Sequence, residues 1–165
     1  MRVQAAVLLL SCLSLAGCSK PEPPQVTARS ARVTATAPTG VQLAVELDVH
    51  NPNSFPLLVE SVEGTLSVAG GAEIGRGTAR PGTDIPAQGA APVTSQLTIP
   101  WSNLTALAPF ALSGAPVPYT FEGRARVGGK RLNVEVPFTL RGELSREQLL
   151  QIGLQGLGPG SAPPP

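Results

Sequence analysis

Cysteine is confined to the first eighteen residues of this 165-residue chain, as Cys12 and Cys18, and histidine occurs once, at His50. Beyond residue 18 there is therefore neither a disulfide nor a thiolate nucleophile, and stability must come from the core. One histidine with scattered carboxylates is a poor basis for a zinc site. It is equally poor for a Ser–His–Asp device: Asp48 shares a strand face with His50, but no nucleophile elbow accompanies them. Charged residues make up only 14% of the chain, 12 basic against 11 acidic, and no basic run exceeds Lys130-Arg131. That balance excludes a nucleic-acid surface. Gly75-Arg76-Gly77 lacks a following helix and lysine and is no phosphate loop. Glu60 and Glu63, three apart in an expected strand, face opposite sides and offer no paired-carboxylate site. These residues lead to the expectation of a protein that is not an enzyme and has no cofactor or metal.

A long apolar run is also missing. Val3 to Leu13 is shorter than the roughly 20 residues that span a bilayer, and it follows a lone positive charge, Arg2. Residues 1–17 therefore read as a cleaved signal peptide. Its ending, Leu15-Ala16-Gly17-Cys18, resembles the bacterial lipobox. The resemblance implies cleavage before Cys18, lipidation of its thiol and acylation of the new terminus, and Ser19 after it favours sorting to the outer membrane. More than one acyl chain makes such an anchor stable. Residues 18–25, with Pro21, Pro23 and Pro24, read as a semi-rigid tether. The expected address is a bacterial envelope, lipid-anchored and facing the periplasm.

The body of the chain alternates. Val41, Leu43, Val45, Leu47 and Val49 share one face of a strand, with Gln42, Ala44, Glu46 and Asp48 on the other. Asn51-Pro52-Asn53 stops it, because proline has no ladder N–H and asparagine favours turns. Val26 to Ala37 is a weaker opening strand. Leu57 to Ala69 carries Leu58, Val62, Leu66 and Val68 on one parity, with a bulge expected between Val59 and Ser61. Gly70-Gly71 signals a hairpin into Ala72 to Arg80, whose Gly75 and Gly77 suggest an edge strand or a close backbone approach. Pro81 to Ala91 reads as a loop with Ile85-Pro86 tucked inward. Val93, Ser95, Leu97 and Ile99 alternate, and Trp101 to Leu112 switches to helical spacing with Ser102 as N-cap and Pro109 as a kink or stop. Two further strands, Val117 to Val127 with Val117, Tyr119, Phe121, Ala125 and Val127 on one face, and Leu132 to Leu140 alternating through Leu132, Val134, Val136, Phe138 and Leu140, flank a second hairpin signal at Gly128-Gly129. Ser145 to Ile152 reads as a terminal helix with a capping box at Ser145 and Gln148, stopped by Gly153. Gly-, Pro- and Ser-rich residues 154–165 read as a disordered tail. The whole predicts one all-β domain over 26–153: an immunoglobulin or fibronectin type III-like antiparallel β-sandwich of about seven strands with one or two short helices.

Val45 to Ser54 (VELDVHNPNS), then PLLVESVEGTLSVAG, Glu73-Ile74-Gly75-Arg76-Gly77 and Asp84-Ile85-Pro86-Ala87, resemble in order and spacing the late embryogenesis abundant type 2 proteins. These include the water stress and hypersensitive response (WHy) domain. The resemblance implies a fibronectin-like sandwich, an association with desiccation or stress protection, and no agreed active site. Asn51, Pro52 and Asn53 are its most recognisable residues, and a turn fixing the exit of a central strand is preferred for them over a binding role. The expected activity is protection of client proteins or of the membrane surface, reached through the lipid on Cys18, by a monomer. Two alternatives stand beside it. One is an adaptor that captures an envelope protein by strand addition along Ile74, Gly75, Gly77 and Thr78; the other is a lipid-binding sandwich.

Overall fold

The computed structural model describes residues 20–37, 39–68, 70–111, 115–148 and 150. The signal peptide, Cys18, Gly153 and the 154–165 tail lie outside them. Among the described residues eight strands form two antiparallel sheets. β1 (Gln25–Ala37), β2 (Gly40–His50) and β6 (Ala90–Pro100) make a three-stranded sheet in the order β1-β2-β6. β4 (Ala72–Ala79), β3 (Leu57–Val68), β7 (Val117–Gly129) and β8 (Leu132–Leu144) make the other in that order, and β5 (Thr83–Ile85) also pairs with β3.

The parities read from the sequence fill the core. Val41, Leu43, Val45, Leu47 and Val49 of β2 are buried, as are Val93, Ser95, Leu97 and Ile99 of β6 and Val117, Tyr119, Phe121, Ala125 and Val127 of β7. Together with residues of β3 and β8 they form one apolar cluster between the sheets. Each fully buried aliphatic side chain contributes about 1.5–3 kcal/mol relative to exposure, so this cluster replaces the disulfides the fold lacks.

Several expectations need correction. An eighth strand, β5, forms inside the segment read as a loop, because Ile85 is fully buried opposite Leu57. In β3 the buried residues before the bulge are Leu57 and Val59, not Leu58. The register shift between Val59 and Ser61 inserts Glu60 and reverses the parity, so Glu60 and Glu63 lie on the same outer face, both near enough to act on Arg126. After β6 the chain makes a 3-10 turn (Leu104–Leu107) and one turn of α1 (Ala108–Ala111). The N-cap there is Asn103, without a side-chain cap bond, since its Oδ1 accepts from the Thr105 hydroxyl. Pro109 falls in the first turn of α1, where its missing N–H would be unused anyway. Finally, the β7–β8 turn is Lys130-Arg131, with Gly129 paired to Leu132 inside the ladder.

The Gly70-Gly71 turn has φ of 87° and 79°, the left-handed region that glycine enters without strain. The terminal capping box forms: Ser145 N–H donates to Gln148 Oε1 at 2.8 Å and Gln148 N–H to Ser145 Oγ at 3.3 Å.

The sandwich has two seams. Along β1 and β8, Tyr119 Oη donates to the Ala31 carbonyl at 2.8 Å and Gln148 Nε2 to the Val33 carbonyl at 3.1 Å. Along β4 and β6 the backbones themselves approach. A Cβ on Gly75 would stand 2.3 Å from the Pro100 carbonyl oxygen, so only glycine lets these strands lie together.

Candidate functional site

Asn51 and Asn53 end β2 and are almost the only polar side chains in the described interior, exposed by 0% and 6%. Buried amides must find partners or cost about 1–3 kcal/mol per unmet group. Here they find them. Asn51 Nδ2 donates to the carbonyls of Phe55 (2.8 Å) and Pro86 (3.1 Å). Its Oδ1 accepts from Asn53 N–H (3.0 Å) and Asn53 Nδ2 (3.1 Å). Asn53 Nδ2 also donates to the Glu22 carbonyl, and Asn53 Oδ1 accepts from Glu22 N–H, each at 2.8 Å. Main-chain bonds complete the knot: Asn51 N–H to the Gly89 carbonyl and Gln88 N–H to the Asn53 carbonyl, both 2.8 Å. Gln88 is held at φ 50°, a left-handed conformation that costs a non-glycine residue about 1–2 kcal/mol.

Three segments far apart in sequence are thus tied at one end of the sandwich: residue 22 of the tether, the turn 51–55 and the loop 86–89. Both side-chain N–H donors of each asparagine are used within the protein. Pro52, between them, is half-buried. The part played by Glu22 carries no signal in the sequence, because its main chain does the bonding. Consequently the tether does not extend to residue 25. Pro24 is buried and Glu22 is fixed, so only the chain before residue 22 is left to act as a spacer.

His50 sits exposed at the end of β2, beside this knot. Asp48 does not orient it, since its carboxylate pairs with Arg29 across the β1–β2 ladder. Arg32 and Glu46 form a second pair on the same outer face at 2.6 Å. Among the described residues no group of three or more His, Cys, Asp or Glu lies together as metal donors.

The four residues singled out on β4 are placed differently from one another. Ile74 is buried and its carbonyl accepts from Ser102 N–H at 2.9 Å. Gly75 and Gly77 lie against Pro100, Ile99 and Thr98 of β6, and Thr78 alone is exposed. The outward backbone groups of this edge are therefore partly used, and the opposite sheet stands beside them.

The outer face of the five-stranded sheet holds a shallow trough of about 590 Å³, with Glu63, Thr65, Arg76, Thr78, Glu122 and Arg124 in its lining. Its charges are of both signs and partly paired. Glu73 holds Arg76 through two 2.9 Å bonds, which raise the guanidinium pKa further. Nearby, Arg126 bonds Glu135 at 2.7 Å, which raises the arginine and lowers the carboxyl. The glutamate pair brought together by the bulge faces a cation that is already matched.

The fold recurs in proteins of distant sequence. A solution structure from Arabidopsis thaliana, 21% identical, matches with a TM-score of 0.57 over 77% of this chain and 83% of that one. A second solution structure, described as a candidate late embryogenesis abundant protein, gives 17% identity and 0.55 over 74% and 70%. A crystal structure from Archaeoglobus fulgidus gives 12% identity and 0.53 over 76% and 97%. No curated protein sequence matches the chain. The sequence profile of the late embryogenesis abundant proteins, LEA_2, matches residues 46–142, from within β2 to within β8 and across the whole Asn51–Asn53 turn. With more than half of its length matched in this way, the chain belongs to the late embryogenesis abundant type 2 family.

Proposed function

We propose that this protein is a non-catalytic, lipid-anchored protective module of a bacterial envelope, acting on client proteins or on the membrane surface under drying or related stress. The observation that carries the reading is the family match over residues 46–142, joined to the Leu15-Ala16-Gly17-Cys18 ending of the leader. Acylated Cys18 supplies the membrane partner, and Ser19 favours the outer membrane facing the periplasm. The WHy subgroup, with its link to water stress, is the finer assignment that the Asn-Pro-Asn turn supports.

The site geometry supports protection over catalysis. The most recognisable residues, Asn51 and Asn53, spend their side-chain donors on the protein itself and leave none for a substrate. It also supports protection over strand capture at β4, because the Ile74 carbonyl is taken and Gly75 and Gly77 are backed by β6.

The reading is tested by reconstituting the acylated protein into dye-loaded vesicles, then drying and rehydrating them with and without a labile client enzyme. Reduced leakage or retained client activity, in proportion to the protein present, is the expected result. No protection of either, by a protein that is folded and bound to the vesicles, overturns it.

A further inference from the structure

The structure carries information about orientation that the sequence does not. Glu22 is clamped to Asn53 through its own N–H and carbonyl. Cys18 precedes it by four residues. Even a fully extended chain covers no more than about 14 Å over those residues. β1 then starts at Gln25 opposite His50, at the knotted end, and its 13 residues run about 40 Å to the opposite end. An anchor at Cys18 can reach one end of the sandwich and not the other.

That end has a composition suited to a headgroup layer. The loop residues Pro86, Ala87 and Gln88 are exposed and uncharged, as are Ser54 and Pro56. The β7–β8 hairpin reaches the same level: a Cβ on Gly129 would lie 3.3 Å from the Pro56 carbonyl oxygen, and Arg131 stacks 5.7 Å over the Phe55 ring. Its tip presents Lys130 and Arg131, with Lys20 exposed on the tether two residues before the clamp. Neither lysine is in an ion pair among the described residues. Four acids share the region, and one of them, Asp48, two residues before the end of β2, is paired with Arg29. Glu22 is exposed on the tether, while Asp84, opposite Leu58, and Glu60, beside Gly128, are set back along the strands from the hairpin tip.

We propose that this end of the sandwich, built from the Asn51–Phe55 turn, the Pro86–Gly89 loop and the Lys130-Arg131 hairpin tip, is a lipid-facing surface. It lies against the phosphate layer of the bilayer that holds Cys18 and directs the 3-10 turn, α1 and the Gly70-Gly71 hairpin away from it. The proposal rests on the lipid anchor of the preceding reading. Its mechanism is the asparagine knot, which fixes Glu22 and so leaves a short tether. Lys130 and Arg131 then meet lipid phosphates by charge, as juxtamembrane cations do.

The test uses the full chain, expressed in a bacterium that processes lipoproteins and reconstituted into phosphatidylethanolamine–phosphatidylglycerol vesicles. Mass spectrometry first reads the acyl groups on Cys18. The processed chain has no other free thiol, so Ala87→Cys and Thr39→Cys, both at exposed uncharged positions, each accept one fluorophore, at the knotted and the opposite end. Nitroxide-headgroup lipids should quench the first several-fold more than the second. Inserting about eight Gly/Ser residues between Ser19 and Lys20, which adds roughly 16 Å of mean reach, should erase the difference without touching the fold. Equal quenching at both positions, in acylated protein that floats with the vesicles, overturns the orientation and leaves the anchor standing. An unmodified Cys18 and no flotation overturn both, at the mass-spectrometric step.

Discussion

The two ends of the sandwich are closed by different means. At one end, two buried amides hold the tether, the β2–β3 turn and the β5–β6 loop in a single cluster. Toward the other, long-range ties are single and dispersed: Tyr119 to Ala31, Gln148 to Val33, Trp101 Nε1 to Ala37 at 2.9 Å, and Ser102 to Ile74. A cluster in which each amide bonds the other fails as a unit, whereas separate bonds fail one at a time. The end nearest the expected anchor is thus the cooperative one.

The comparison is broken most severely by Asn51→Ala. It removes the Asn51 partner of the Asn53 N–H, of one Asn53 Nδ2 hydrogen and of the Phe55 carbonyl, while Pro86 keeps the Gly89 N–H and Asn53 keeps Glu22, and it should cost about 3 kcal/mol in urea unfolding. Next in size is the coupling within the knot. Asn53→Ala alone should cost about 2 kcal/mol, and the double variant about 1 kcal/mol less than the sum of the two, because the Asn53 Nδ2–Asn51 Oδ1 bond is lost only once. Additive losses at these two positions would show that the knot is not a unit.

Tyr119→Phe, at the dispersed end, should cost about 1 kcal/mol, the net value of one hydrogen bond. This residue also sharpens the comparison through pH. Burial raises the Tyr119 pKa above its ordinary 10.0. The unfolded chain therefore loses this proton at a lower pH than the folded one. The stabilisation is complete below about 10 and is lost as pH rises through the folded value. Tyr119 is the sole tyrosine, so the phenolate absorbance reports it alone. Urea midpoints measured from pH 9 upward should fall more steeply for the native chain than for Tyr119→Phe. Gln148→Ala is the smallest break, about 0.5 kcal/mol, and should add to Tyr119→Phe if the dispersed ties are independent.

Much of this was legible in the residues. The alternation in β2, β6, β7 and β8 named the buried faces correctly, since a pleated strand has a period of two wherever it stands. The bulge after Val59 was legible too, but its consequence for Glu60 and Glu63 was missed by counting parity straight through it. β5 was missed because three residues hold no period, and only the pairing of Ile85 with Leu57 makes them a strand. Ser102 was a reasonable N-cap by type; its N–H is instead spent on Ile74, a residue of the other sheet.

By itself the sequence determined the all-β class, the inward face of each long strand, the turn at Asn51-Pro52-Asn53 and the family pattern around it. These depend on neighbours within a few positions, where proline, glycine and alternation act directly. Only the tertiary structure decided that Gly75 lies on Pro100, that Tyr119 reaches Ala31, and that Asn53 holds Glu22. Those pairs are 25, 88 and 31 residues apart. They meet because two sheets close over one apolar core, and a period read along the chain carries no distance across it.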